Sequence, residues 1–570
     1  MSYTPEPIRA PRLQGTALSL SAVALEHRFP GAAVAATTFS AIGLKQFREL
    51  TPTELPLFLP LVPAPVPGTP GTSGPPAADA PDLEHASALI GSPEGEPTFP
   101  SVMDYARAYR QGDITPVAVA NELIDVLERH NRSGATPLYS FIAWNRDEIL
   151  KDAEESAKRI RENTPRSIFE GVPVAVKDEI DVAGYSTSVG TSFKHDTPCA
   201  QDAWVVQRLR DAGALILGKT NMHEIGIGVT GINPFHGTPL NPYAPDRCPG
   251  GSSSGSASAI ATGICPVALG ADGGGSVRIP AAYCGIFGLK TTWGRTSATG
   301  EYALGYTVGN IGPMAATARD LALAYLVTAA VDPEDHGAHA APPPNLDRFQ
   351  DNLEGVRIGV YQPWFDHAHQ EVLQPTRRLL ELLREGGATV VEIEIDGLEE
   401  LRLAHLVTIS LEMRAAMAAE LRQRRRDFGD ETRTNLALAR YLTTTDYLQA
   451  QKIRRRLSEE VRRVHREVDL IATPTTANLA PALPGSRVSR GVSDIVSMNE
   501  TMRFLVLANM LGNPAVSVPA GFAPDNAPVG LQLIGRHWEE ALLLRAARVC
   551  EELVPRPLPQ VFYAPLGAQR

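Results

Sequence analysis

From about residue 98 onward, short apolar runs alternate with amphipathic segments of helical period. That alternation limits the folds open to the chain more than any other feature. "DITPVAVANELIDVLERHN" (113–131) reads as a helix. Thr115 is a good cap, Pro116 takes the first helical position, and Ala120, Leu123, Ile124 and Leu127 fall on one face. "YSFIAW" (139–144), "GVPVAVKD" (171–178) and "ALILGK" (214–219) read as strands, with the helix "DAWVVQRLRDAG" (202–213) between the last two. The pattern continues through a strand at 356–361, a helix at 372–387 and a strand at 389–395. Two long polar helices follow, at 399–427 and 439–467, and then strands at 469–475, 515–521 and 529–535. Several strands are continuous apolar runs, as strands buried on both faces are. The expected fold class is α/β: one large, mixed, twisted sheet covered by helices on both faces.

An N-terminal extension precedes this body. Residues 10–50 read as two helices split by Pro30-Gly31. "LPLFLPLVPAPVPGTPGTSGPPAADAPD" (55–82) begins as an apolar, proline-punctuated segment lying extended on the main body and ends as a Pro/Gly/Ala linker. The expected division is an N-terminal helical cap with linker over residues 1–97 and a second domain over 98–570. Gln14 and Glu26-His27-Arg28 interrupt the apolar stretch near the start, which disfavours a cleaved signal peptide. The N-terminal helices are then a packed structural cap, or an interfacial element touching a membrane peripherally.

The formal net charge of −11 over 570 residues offers no basic field for nucleic acid. The arginine runs "LRQRRRDFG" (421–429) and "KIRRRLSEEVRRVHRE" (452–467) read as solvated helix faces. No apolar run reaches 18 residues, so no spanning helix is expected. The five cysteines are widely spaced without a CxxC, which fits a reducing, cytoplasmic compartment and disfavours a zinc site.

The chemistry concentrates in "GGSSSGSASAIATGICPVALGADGGGSVRIP", Gly250 to Pro280. A P-loop would place lysine where Ser256 stands, and a dinucleotide fingerprint would follow a strand, whereas "NPYAPDRCP" is a turn-rich loop. "GSSSG" matches the serine elbow G-x-S-x-G in letters, without the flanking strand and helix. A serine with a lysine base is the remaining option. An ordinary lysine, with a pKa of about 10.4, is charged at neutral pH. Burial in an apolar strand disfavours the charged form, and Lys177 closes the apolar run "VPVAVK". Three glycines before Ser276 let successive N–H groups face one point, as an oxyanion site requires.

Three motifs in order, "GVPVAVKD", "PGGSSSGSASA" and "GADGGGSVRIPAAYCGIFGLK", resemble the amidase signature family. The resemblance runs from about 98 to 565. "KTNMHEIGIGVTG", "GLKTTWGRTSATG" and the N-terminal "APRLQGTALSLSAVALE" are similar to the plant-type fatty acid amide hydrolases. The resemblance implies a Ser–cis-Ser–Lys triad. Lys177 is then the base, Ser252, on a cis peptide after Gly251, the bridge, and Ser276 the nucleophile. Gly273, Gly274, Gly275 and Ser276 would supply the oxyanion N–H groups. Asp272 and Arg278 would pair to brace the loop, and Ser253 would be a structural neighbour. Met222 would line the acyl pocket, while His223 and His236 would be structural. The implied substrate is a small-molecule N-acyl amide, a fatty acid amide of the N-acylethanolamine kind or an aryl amide, cleaved to acid and amine through an acyl-enzyme, with no metal or organic cofactor. Ala271 and Gly273 depart from the family's usual threonine and bulkier residue. Two further readings are a lipid-binding protein with a vestigial site and an amidotransferase A-type subunit. The long helices over 399–467 could serve a homodimer.

Overall fold

The computed structural model describes residues 3, 5, 7–60, 62, 82–91, 99–134, 136–335, 341–485, 491–563 and 565–566. The Pro-rich linker over 63–81 and the expected boundary near residue 97 lie outside the described residues.

Among the described residues the strands are β1 (Leu13–Gln14), β2 (Phe141–Ala143), β3 (Pro173–Lys177), β4 (Leu215–Thr220), β5 (Val267–Ala271), β6 (Phe287–Lys290), β7 (Ile311–Ala315), β8 (Arg357–Val360), β9 (Thr389–Glu392), β10 (Leu470–Pro474), β11 (Val492–Ser493), β12 (Ala515–Phe522) and β13 (Pro528–Gly535). Eleven of them form one sheet in the order β2-β4-β3-β5-β7-β6-β12-β13-β10-β8-β9. Pairing is parallel at β4-β3-β5 and β10-β8-β9 and antiparallel through the middle. The mixed sheet is as the alternation predicts.

Apolar side chains sort by sheet face with the period of two that strands impose. Leu470 and Ala472 of β10 and Leu533 of β13 join the larger core cluster. Ile471 and Ile534, one residue along, join a second cluster on the opposite face. The N-terminal helices belong to that second cluster. Leu25, Ala35, Phe39 and Phe47 are buried in it together with Leu401, Ala404, Leu457 and Leu511. Polar contacts hold the same seam: Arg433 grips Glu26 at 2.9 and 3.0 Å, and Arg48 grips Asp446 at 2.9 and 2.8 Å.

The two N-terminal helices, Gly15–Glu26 and Arg28–Ala41, part at His27 and not at Pro30-Gly31. Pro30 sits in the first turn of the second helix, where its missing N–H has no intrahelical partner to lose. Gly31 is there for close approach, since a Cβ would collide with the Tyr441 hydroxyl and stand 2.7 Å from the Leu25 carbonyl. The expected helix at 399–427 breaks at Met417 into Leu398–Ala416 and shorter pieces. The one at 439–467 starts later, as the single helix Thr444–Glu467, and a separate helix, Asp430–Ala439, precedes it. Thr443 and Asp446 form a reciprocal capping box that starts the longer one. These breaks let one short helix, Asp430–Ala439, turn inward against the N-terminal helices.

Candidate active site

Strands β3 and β5 run parallel and adjacent, so their C-terminal ends open at the same edge. Lys177 ends β3, fully buried. Its Nζ lies 2.8 Å from Ser252 Oγ, 3.1 Å from the Ala271 carbonyl that ends β5, and 2.6 Å from Glu179 Oε2. The Gly251–Ser252 peptide is cis. Gly251 has backbone against it on both sides: a Cβ would stand 2.7 Å from Gly231 N and 3.0 Å from Gly228 O. The Ser252 carbonyl accepts from His223 N at 3.1 Å, which ties this turn to the loop after β4. The helix Ser254–Ala261 then runs, wholly buried, back to β5 and fixes the two Gly/Ser clusters relative to each other.

The second cluster is organised by Asp272. Its carboxylate accepts from Gly275 N at 2.6 Å and Val277 N at 3.2 Å, from Arg278 Nε and Nη2 at 2.9 Å each, and from Asn509 Nδ2 at 2.9 Å. Burial alone would raise this carboxyl, but the Arg278 guanidinium and the hydrogen bonds outweigh it and hold it well below the usual carboxylate range. Arg278 is itself fully buried and also donates to the Leu505 carbonyl at 3.1 Å and to Asn509 Oδ1 at 2.6 Å. The expected Asp272–Arg278 pair is therefore the hub of the loop. Ser253 Oγ bridges within β5's end, 3.3 Å from both the Ala271 carbonyl and the Ala271 N.

The glycine nest differs from expectation in one member. Because Asp272 takes the Gly275 N–H, that donor faces into the loop, and Gly275 serves through its left-handed backbone (φ 114°). Gly273, Gly274 and Ser276 remain as the N–H groups at the turn. His405, on the helix Leu398–Ala416, faces the Gly273 carbonyl with Nε2 at 2.7 Å. Burial lowers this imidazole to about 4, so it is neutral and donates through Nε2–H. No sequence signal pointed to His405, which lies more than a hundred residues from the glycines it steadies.

Lys177, Ser252, Gly273, Gly274 and Ser276 all line one cavity of about 450 Å³. Among the described residues no hydrogen bond joins the hydroxyls of Ser252 and Ser276; they share the cavity wall. Away from the serines the lining is mostly apolar, with Thr38, Arg402, Asn435 and Asn499 as polar members. Ile409 and Met413 come from the helix Leu398–Ala416, Leu436 from Asp430–Ala439, Met498 and Met502 from Ile495–Met502, and Phe39, Ile42 and Leu44 from the N-terminal region. Met222 is not part of that lining. It is fully buried one layer behind, in the apolar cluster with Ile225, Leu304 and Met413, because the wall at that point is the backbone turn from Ile225 to Val229. His223, within 3.5 Å of Glu431, and His236, with Nε2 3.1 Å from the Thr191 carbonyl, are held in the surrounding structure as expected.

A second acid stands at the lysine end. Glu301 lines the cavity beside Glu179. Burial raises its carboxyl to about 8, the like charge of Glu179 adds to this, and Lys177 opposes it. A folded-state value above the unfolded one means the folded protein holds the proton more tightly. Stability from Glu301 is then present at low pH and lost as pH rises through about 8. Glu301→Gln is expected to flatten the fall in melting temperature between pH 6 and 8.5, measured by calorimetry. Parallel curves for the two proteins would contradict this.

A serine held by a buried lysine, beside an arginine-braced glycine turn on a mixed α/β sheet, is the setting of a hydrolase acting on amides. The amidase family model matches residues 128–544, and the chain belongs to the amidase signature family. It is 36% identical over 585 residues to a fatty acid amide hydrolase of Arabidopsis thaliana, across 99% of this chain and 96% of that protein. It is 35% identical over 484 residues to the A-type subunit of the glutamyl-tRNA(Gln) amidotransferase of Thermus thermophilus, across 80% of this chain and 97% of that one. The native peptide amidase of Stenotrophomonas maltophilia superposes with a TM-score of 0.68 at 28% identity, covering 80% of this chain and 98% of that structure.

Proposed function

We propose that the chain hydrolyses N-acyl amides with long acyl groups, through Ser276 as nucleophile and a Ser252–Lys177 relay. The observation that carries the substrate class is the cavity. From Ser276 and Lys177 it extends along apolar walls to Phe39, Ile42 and Leu44 of the N-terminal region. Small acyl groups need no such length, whereas burying each added methylene of an alkyl chain contributes roughly 0.8 kcal/mol.

The hydrogen-bond inventory at Lys177 supports the base role. A neutral amine has two N–H donors and one lone pair. The Ala271 carbonyl and the Glu179 carboxylate can only accept from it, at 3.1 and 2.6 Å. As an ammonium Nζ donates to Ser252 Oγ at 2.8 Å; in the neutral lysine the proposed relay needs, the same contact lets the Ser252 hydroxyl turn its proton toward the Nζ lone pair. In the forward step Ser276 Oγ attacks the amide carbonyl carbon, its proton passes to Ser252, and the Ser252 proton passes to Lys177. The oxyanion is met by the N–H groups of Gly273, Gly274 and Ser276. Collapse breaks the C–N bond as the lysine proton returns through Ser252 to the leaving nitrogen. Water, activated by the same relay, then cleaves the acyl ester and frees Ser276. Glu179 faces the ammonium that exists between the two transfers and lowers its cost.

Narrowing the far end of the cavity tests the substrate class. Ile42→Trp is expected to lower kcat/KM for a long-chain N-acylethanolamine by about tenfold or more, while a two-carbon acyl anilide changes less than twofold. Equal losses on both would remove the long-chain reading. An amidotransferase A-type subunit is the competing reading. Turnover of simple amides by the purified chain alone, with free acid and amine as products, separates the two.

A further inference from the structure

The cavity has two unlike ends. Phe39, Ile42 and Leu44 stand at the acyl end, whereas carboxylates gather at the other. Glu179, Glu301 and Asp335 all line the wall there, and Glu301 feels the charges of Glu179, Lys177 and Asp335 together. Three separate segments of chain deliver these acids. Glu179 follows β3, Glu301 lies between β6 and β7, and Asp335 lies beyond the helix Ala318–Thr328. Backbone seams hold them in place. Ile180 and Glu301 form an antiparallel bridge, Asp181 N donates to the Gly300 carbonyl at 2.8 Å, and Tyr302 N donates to the Glu179 carbonyl at 2.8 Å. Asp335 Oδ2 accepts from Ala298 N at 2.9 Å, three residues before Glu301.

The cations on the wall do not match these acids. Arg402 stands at the acyl end, where it donates to Glu399 at 2.7 Å and to the Ile42 carbonyl at 2.9 Å. Asp272 already has Arg278. Among the described lining residues Lys177 is then the one cation facing three carboxylates, and the relay needs it neutral. Glu179 lies 2.6 Å from Nζ. Glu301 is enclosed, yet its carboxylate makes no hydrogen bond or ion pair among the described residues, and it reaches the cavity. Burial and the like charge of Glu179 keep its proton on, the state expected of a carboxyl still lacking a cation.

The way from the serines to these acids is open. At Gly226 a Cβ would stand 3.4 Å from Ser252 Oγ and 3.9 Å from Glu179 Oε2, so the glycine leaves a gap beside both. The proposed mechanism also fixes which half of the substrate enters that gap. The departing nitrogen takes its proton from Ser252 and therefore lies against that hydroxyl, while the acyl chain runs to the apolar end. The substituent on nitrogen then points past Gly226 toward Glu179 and Glu301.

We propose that Glu179, Glu301 and Asp335 form an amine subsite, which selects amides whose amine half carries a second, cationic nitrogen and excludes amine halves that end in a carboxylate. An ammonium brings the N–H donors and the charge that Glu301 lacks. A carboxylate would add a fourth like charge to the same wall. The inference rests on the hydrolytic reading for the orientation of the amide, so its test reads binding and turnover separately.

Four dodecanoyl amides serve as probes. Their amine halves are three methylenes long and end in ammonium, methyl, hydroxyl or carboxylate. Calorimetric titration uses Ser276→Ala, which holds the amides uncleaved. The ammonium amide is expected to bind about tenfold or more tighter than the methyl amide, and the carboxylate amide about tenfold or more weaker. Glu301→Gln and Asp335→Asn, each added to Ser276→Ala, are expected to cut the ammonium-to-methyl ratio by about fivefold. A ratio of two ligands on one protein is insensitive to a misfolded fraction. Wild-type kcat/KM on the four amides should follow the same order. A methyl or hydroxyl amide that binds as tightly as the ammonium amide, or a ratio that neither variant changes, would overturn the subsite even with all four amides hydrolysed. Ammonium preference in binding, with no turnover of any amide by wild type, would uphold the subsite and remove the hydrolytic reading. Binding of none of the four would overturn both.

Discussion

Ser276→Ala is expected to lower kcat/KM on an N-acyl amide by about 10⁴-fold or more, and Lys177→Ala by about 10³-fold or more, with melting temperatures close to wild type for the serine variant. In the proposed mechanism the serine variant removes the atom that bonds the acyl carbon. The lysine variant removes the acceptor at the end of the proton path and leaves the Ser252 hydroxyl and the Glu179 carboxylate without their shared partner, 2.8 and 2.6 Å away. In the proposed mechanism the three residues act as one relay, so the double variant should lose little more than Ser276→Ala alone. Additive losses would mean that Lys177 acts elsewhere. Steady-state kinetics of the single and double variants give the answer directly.

The second large effect is on stability. Arg278→Met should destabilise the fold by about 3–5 kcal/mol, because it leaves Asp272 ionised and buried with its main counter-charge gone. Asp272 would retain Asn509 Nδ2 at 2.9 Å and the Gly275 N–H at 2.6 Å. The sign of the pH dependence follows from the direction of the shift. The Asp272 carboxyl lies below its ordinary value in the folded protein, so the stability it contributes is present above that ordinary value and is lost as pH falls. Wild type should therefore lose stability on acidification by a margin that the variant no longer shows. Denaturant unfolding at pH 7 and at pH 2.5, below the ordinary carboxylate value, measures both. An unchanged midpoint at pH 7 would show that the pair is dispensable to the loop.

Much of the site was legible because its parts are local. Lys177 ends an apolar strand, and the two Gly/Ser clusters bracket one buried helix and one strand, so a single stretch of sequence carries their relative placement. Glu179 was not within reach of the same reasoning: it stands two residues past Lys177 in a turn beyond the end of the strand, where the strand's period of two no longer applies. His405 and the cavity walls were not legible. They come from helices whose approach to the turn depends on the breaks at Met417 and before Thr443, and no spacing rule joins residues so far apart in the chain. Met222 misled for a related reason. It lies near the motif in sequence, but backbone intervenes in space. The N-terminal helices were expected as a cap, and their role as a wall of the cavity emerged only once Phe39 and Ile42 were seen beside it.

The central claim is that Ser276 attacks and that Lys177 activates it through Ser252. Labelling with a fluorophosphonate probe, followed by peptide mass spectrometry, tests it most directly. The account predicts a phosphonate adduct on Ser276, much slower labelling in Lys177→Ala and none at that peptide in Ser276→Ala. An adduct on Ser252 or Ser253 in the wild-type protein, or labelling that Ser276→Ala leaves intact, would contradict it.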